Sequence, residues 1–132
     1  LLPAICYEII FSVKIGQRFK DAGWILNLTN DAWFGNFSGP QQHFIQARMR
    51  SIELGVPLVR VANTGITAVI NSNGSVKNSM PLDKRGAITV SLPARESRTL
   101  YSFVGPRNWI ILLTAISLAS LLVINRKNAI SS

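Results

Sequence analysis

The sequence predicts an α/β layered domain followed by one apolar helix long enough to cross a bilayer. Three observations carry this. Short apolar runs with β-branched character alternate with helix-patterned segments in the first half, the pattern of βαβ units. After Pro57 the texture changes to strands separated by turn signals. Near the C-terminus, Trp109 to Ile124 is a stretch without a single charged side chain.

Leu1 to Ile5 reads as a strand, and Glu8 to Lys20 as a helix closed by Asp21-Ala22-Gly23. Trp24 to Thr29 is a second strand, bounded by Asn30 and Asp31, which shape a turn. An aromatic, glycine-flanked loop follows as far as Gly39, and Pro40 occupies a favoured first helical position. Ile45, Met49 and Ile52 repeat at helical spacing, with Gly55 as the stop. Leu58–Ala62 and Ile66–Ile70 are strands flanking the Asn63-Thr64-Gly65 break, and Asn73-Gly74 is a hairpin signal. Gly86 to Leu92 is a last strand, ended by Pro93. The resulting organisation is a layered domain over residues 1–94, a basic linker over 95–104, a transmembrane helix over 105–125 and a short tail over 126–132.

Extended back through Phe103, Val104 and Gly105, the apolar stretch reaches the ~20 residues that a bilayer core requires. Arg107 at one end and Arg126-Lys127 at the other suit the headgroups, and Trp109 suits the interface. A buried helix of a soluble domain would keep a polar stripe; here only Thr114, Ser117 and Ser120 interrupt. Net charge is +8 from 14 basic and 6 acidic residues. Residues 95–132 hold five basic side chains and one acidic one, so half of that excess flanks the apolar segment, as anionic headgroups would favour. The other basic residues are scattered rather than striped, which argues against nucleic acid as a partner.

Cys6 is the only cysteine, which excludes an intrachain disulfide and leaves too little sulfur for a zinc site; no metal or cofactor is implied. It sits where a strand gives way to a helix. There a thiolate feels the positive helix end, and the Tyr7 N–H is placed to donate to an oxyanion. Two readings stand at this point, an inert buried thiol and a nucleophile. Glu8 is likewise either a first-turn acid stabilising the helix start or a supporting acid beside the thiol. His43, the only histidine, reads as a local hydrogen-bonding or packing residue, with a Cys–His dyad as the alternative. Trp33, Phe34 and Phe37 form either a packed aromatic cluster or a lid against substrate; Arg48, Arg50 and Glu53 read as a structural ion-pair set.

Cys6-Tyr7-Glu8, preceded by Pro3 and followed by Ile9-Ile10-Phe11, resembles the nucleophile segment of the nitrilase (carbon–nitrogen hydrolase) superfamily. Thr29-Asn-Asp-Ala-Trp-Phe-Gly35, Gly39-Pro-Gln-Gln-His43, Ala47-Arg-Met-Arg-Ser-Ile-Glu-Leu-Gly55 and Val61-Ala-Asn-Thr-Gly65 continue the match in order and spacing. Together with the terminal span they are similar to the superfamily's lipoprotein-acylating membrane branch. Ser51-Ile52 departs conservatively from the Ala-Leu of that pattern.

The resemblance implies the C-terminal half of an αββα sandwich, with a Glu-Lys-Cys triad of which this chain holds only Cys6. The chain opens at Leu1 inside a core-like strand and reads as the C-terminal piece of a longer protein, with the glutamate and lysine upstream; Lys14 and Lys20 are not the triad lysine. The implied reaction moves an acyl chain from a phospholipid donor, through a Cys6 thioester, to the amine of a diacylglyceryl-cysteine apolipoprotein. No cofactor takes part, a monomer suffices, and the isolated piece is expected to be inactive. The implied location is the bacterial inner membrane, with the catalytic domain periplasmic and the C-terminus cytoplasmic. In an oxidising periplasm an unpaired cysteine is a liability unless it is used. Two alternatives stand beside this: a membrane-anchored amidohydrolase of the nitrilase type, and a non-catalytic membrane-anchored fragment.

Overall fold

The computed structural model describes residues 1–19, 21–35 and 37–130. Five strands form one mixed sheet in sequential order: β1 (Leu2–Ile5), β2 (Ile25–Asn30), β3 (Leu58–Asn63), β4 (Thr67–Ile70) and β5 (Val76–Met80). The first three are parallel and the last two antiparallel. Parallel neighbours require crossovers, supplied by α1 (Ser12–Arg18) and α2 (Ser38–Leu54). Right-handed crossovers that step in one direction put both helices on the same face of the sheet.

That face is the core. Leu2, Ala4, Ile25, Leu58, Ala68 and Ile70 of the strands meet Ile9, Ile15, Ala47 and Leu54 of the helical layer. The strands alternate as period-2 geometry requires, with Ile25 and Asn27 buried while Leu28 is exposed. The opposite face carries Ile5, Leu28 and Val61 in register, all apolar and all exposed. Parallel strands are normally covered on both faces; here the helices cover one face, and Ile5, Leu28 and Val61 on the other stay exposed.

Several expectations need correction. The single helix read over Glu8–Lys20 is two pieces, a 3₁₀ turn over Cys6–Ile10 and then α1, with a break at Phe11; Lys20 lies outside the described residues. Ile9 and Ile15 are both core residues, yet six residues of unbroken α-helix would set them about 120° apart. The break re-phases the chain so that both reach the sheet. The helix read from Pro40 starts at Ser38, which puts Pro40 within its first turn, where the missing N–H costs nothing. Gly55 does end α2, in the left-handed conformation (φ 66°). The Asn73-Gly74 hairpin is present, closed by Asn71 and Ser75.

The strand read over Gly86–Leu92 does not form. Its alternation is real, with Ile88 and Val90 half-buried between exposed neighbours. Alternation reports a half-covered face and not the presence of a strand edge within reach of the amides. Inside the segment read as linker, Leu100–Val104 forms a short helix, α3, capped by the Thr99 hydroxyl. Pro106–Ile130 forms α4, which carries five of the residues read as tail; residues 131–132 lie outside the described residues. Within α4, Arg107–Arg126 is long and apolar enough to cross a membrane and is wholly unburied.

Candidate active site

The parallel strands end on one edge of the sheet, β1 at Ile5 opposite Leu28 and β2 and β3 at the paired Asn30 and Asn63, and the site is built on that edge. Cys6 follows β1 directly and is half-buried. Its φ is +50°, the left-handed region that a residue with a Cβ enters only under constraint from its surroundings. The constraint is visible on both sides. Glu8 reaches back to accept from the Ile5 N–H (2.8 Å), and Asn27 on β2 donates its amide N–H groups to the carbonyls of Ala4 (2.9 Å) and Cys6 (3.3 Å).

Below the thiol lies a buried polar network. The Thr29 hydroxyl stands 3.6 Å from Cys6 Sγ and 3.0 Å from Asp31 Oδ1. With one proton, it donates to one of the two at a time. Asp31 also pairs with His43 Nδ1 (2.9 Å) and with Arg60 Nη2 (2.6 Å), and Arg60 Nη1 donates to Asn27 Oδ1. Asn27, Asp31 and Arg60 are completely buried. Gly65 is part of the same construction, because a Cβ there would stand 2.8 Å from the Asp31 Cβ.

Burial by itself would push the Asp31 carboxyl up; the His43 hydrogen bond and the Arg60 charge outweigh it and hold the group below its ordinary range. Burial lowers the Arg60 pKa against the opposing charges of Asp31 and Cys6. A guanidinium still keeps its charge at neutral pH. The site therefore holds a buried guanidinium, paired with Asp31 and connected to the thiol through Asp31 and Thr29.

The other predicted residues fall in distinct places. Glu8 is an exposed brace: the Ile5 N–H and then Arg18 hold its pKa down, and Arg18 also donates to the Pro3 carbonyl. The Tyr7 ring is exposed and lies edge-on to Phe11. Trp33 and Phe37 project outward at 83% and 86% exposure, whereas Phe34 packs edge-on against the His43 ring and over Gly39. Tyr7, Phe11, Phe34, Gly39 and His43 line a groove of about 450 Å³ beside the Cys6 turn. A larger cavity, about 660 Å³, lies elsewhere, between the outer sheet face and residues 83–88.

His43 meets Asp31 and not Cys6, so the residue read as a possible dyad partner is a buried hydrogen-bonding residue. Arg50 and Glu53 pair at 3.1 Å as read, while Arg48 instead donates to the Gly74 carbonyl. Asn27, Thr29 and Arg60 did not stand out in the sequence. A polar residue at an inward position in the middle of each of two adjacent apolar strands, Asn27 and Arg60, was the available signal.

The fold is that of an α/β protein, with a lone thiol held in a left-handed turn at the C-terminal edge of its parallel strands. The sequence profile of the carbon-nitrogen hydrolase family matches residues 2–102, and the chain belongs to that family. It is 50% identical over 97% of its length to a protein of Bradyrhizobium diazoefficiens named apolipoprotein N-acyltransferase, and 48% identical over 96% to one of Rhodopseudomonas palustris with the same name. A Haemophilus influenzae protein of that name is 45% identical over 78% of the chain. The chain spans 23%, 23% and 20% of those relatives' lengths, respectively.

Proposed function

We propose that the protein containing this chain is a membrane acyltransferase that moves a fatty acyl chain from a phospholipid to the N-terminal amine of a diacylglyceryl-cysteine lipoprotein. The observation that carries the reading is Cys6 itself: a half-buried thiol at positive φ, followed directly by the Tyr7 peptide and backed by Thr29 and Asn27. The relatives' shared name supports the substrate class, and α4 supports the membrane setting.

In the first step the Cys6 thiolate attacks the acyl ester, forming C–S while the C–O bond breaks, and the lysophospholipid leaves with a proton from the base. The Tyr7 N–H holds the oxyanion, and Glu8 keeps the turn's geometry through Ile5. In the second step the lipoprotein amine attacks the thioester, forming C–N, losing a proton to the base and restoring the thiolate. The base glutamate and the triad lysine belong to the rest of the protein. Residues 1–94 contribute the nucleophile half of the domain, and the apolar helix anchors it in the inner membrane with the domain periplasmic. Trp33 and Phe37, both exposed, dip into the interface.

The test is product identity. Full-length protein in vesicles of acyl-labelled phospholipid is given a diacylated lipopeptide with a free amine. Label on the amine supports transfer; label recovered only as free fatty acid shows a hydrolase and overturns the proposal.

A further inference from the structure

We propose that Asn27 is a positioning residue that sets the direction of the Tyr7 N–H by holding the other side of the same peptide plane, and that Arg60 and Asp31 lock Asn27 for that task. The inference rests on the acyl-transfer reading above.

The Cys6 carbonyl and the Tyr7 N–H belong to one rigid plane and point in opposite directions. Whatever holds that carbonyl therefore aims that amide. Cys6 cannot hold the plane through its own preference, because φ +50° is unfavourable for it. Its carbonyl accepts from Asn27 Nδ2, reaching in from the neighbouring strand, while the same nitrogen donates to Ala4. Asn27 thus ties the end of strand β1 to the peptide that follows Cys6.

Asn27 would do this poorly if its amide were free to turn over. Arg60 prevents that by donating Nη1 to Asn27 Oδ1, which leaves the NH₂ facing β1. Arg60 is in turn fixed by Asp31 at 2.6 Å, and Asp31 by His43. Register supports the chain of contacts: Ala4 pairs with Asn27, and Asn27 with Arg60, so three adjacent strands place these residues side by side on one face. The Thr29 hydroxyl touches Sγ and completes the support from below.

An oxyanion donor matters for acyl transfer and not for alkylation of the same thiolate, and this separates positioning from mere structure. The experiment uses full-length wild type and Asn27→Asp in vesicles of acyl-labelled phospholipid. Three quantities are read: the single-turnover rate of thioester formation on Cys6, the limiting rate of iodoacetamide alkylation at high pH, and the unfolding midpoint. The expected result is a fall in thioester formation of about 10²-fold, with the limiting alkylation rate unchanged. Asn27→Gln, which displaces the amide by one methylene, replaces Asn27→Asp if that variant does not fold and carries the same expectation. Equal losses in both rates, or no loss in either, overturn the proposal while leaving acyl transfer in place. A wild type that forms no thioester overturns the acyl-transfer reading itself.

Discussion

Arg60 Nη2 stands 2.6 Å from Asp31 Oδ2, and neither side chain reaches solvent. A buried ion pair of this kind is costly to break from one side, since the partner left behind keeps its charge in a low-dielectric interior. Arg60→Met or Asp31→Asn should therefore each lower the unfolding free energy by about 3–5 kcal/mol. Denaturant titration of the full-length protein reads this directly. Losses of only about 0–1 kcal/mol, the range of exposed pairs, would show that the pair is solvated.

The same pair fixes the acid limb of stability. Asp31 is held below its ordinary pKa in the fold, so its stabilising contribution is complete above the unfolded value of about 3.9 and is lost as pH falls through the folded value. Glu53 has the opposite sign: burial raises its pKa despite Arg50, so its contribution diminishes as pH rises above about 4.3. Unfolding midpoints measured from pH 7 down to pH 3 should fall less steeply below pH ~4 in Asp31→Asn than in wild type. Parallel acid limbs would contradict this assignment.

Gly65 tests how tightly the network is enclosed. An alanine there would press on the Asp31 side chain, which is tied to Thr29, His43 and Arg60 and has no room to retreat. Gly65→Ala should destabilise by about 1–3 kcal/mol, the range for overpacking, and should slow thioester formation as well. A variant with wild-type stability would mean that the Asp31 loop yields.

Much of the fold was legible because hydrophobic period reports burial directly. β1, β2, β3 and the Gly55 stop fall where the pattern puts them, within the one or two residues by which element ends vary. The break at Phe11 was hidden, because it depends on which face Ile9 and Ile15 must share, a tertiary requirement. The Gly86–Leu92 error has the same origin, since pairing needs a partner edge that local pattern does not describe. At the site, Cys6 could be singled out and its strained φ could not. Asp31 read as a turn residue because its sequence neighbours, Asn30 and Ala32, do form a turn (3.2 Å), while two of its partners, His43 and Arg60, lie 12 and 29 positions away.

Trp33 and Phe37 separate membrane contact from packing. Both are largely exposed, so Trp33→Ala and Phe37→Ala should change stability by no more than about 0.5 kcal/mol. With phospholipid vesicles as donor, the double variant should raise the apparent KM, with little change in turnover at saturation. Phe34→Ala is the contrast, since Phe34 covers His43 and Gly39 and its loss should destabilise the loop. Unchanged vesicle kinetics in the double variant would remove the interface role.

The central claim is that Cys6 carries the acyl chain as a thioester. Full-length wild type and Cys6→Ser are incubated with acyl-labelled phospholipid and no acceptor, then denatured, and the label on the Cys6 peptide is measured before and after neutral hydroxylamine. The account predicts label on wild type that hydroxylamine removes and none on Cys6→Ser. Label that is absent from wild type, or that persists on Cys6→Ser under hydroxylamine, would contradict it.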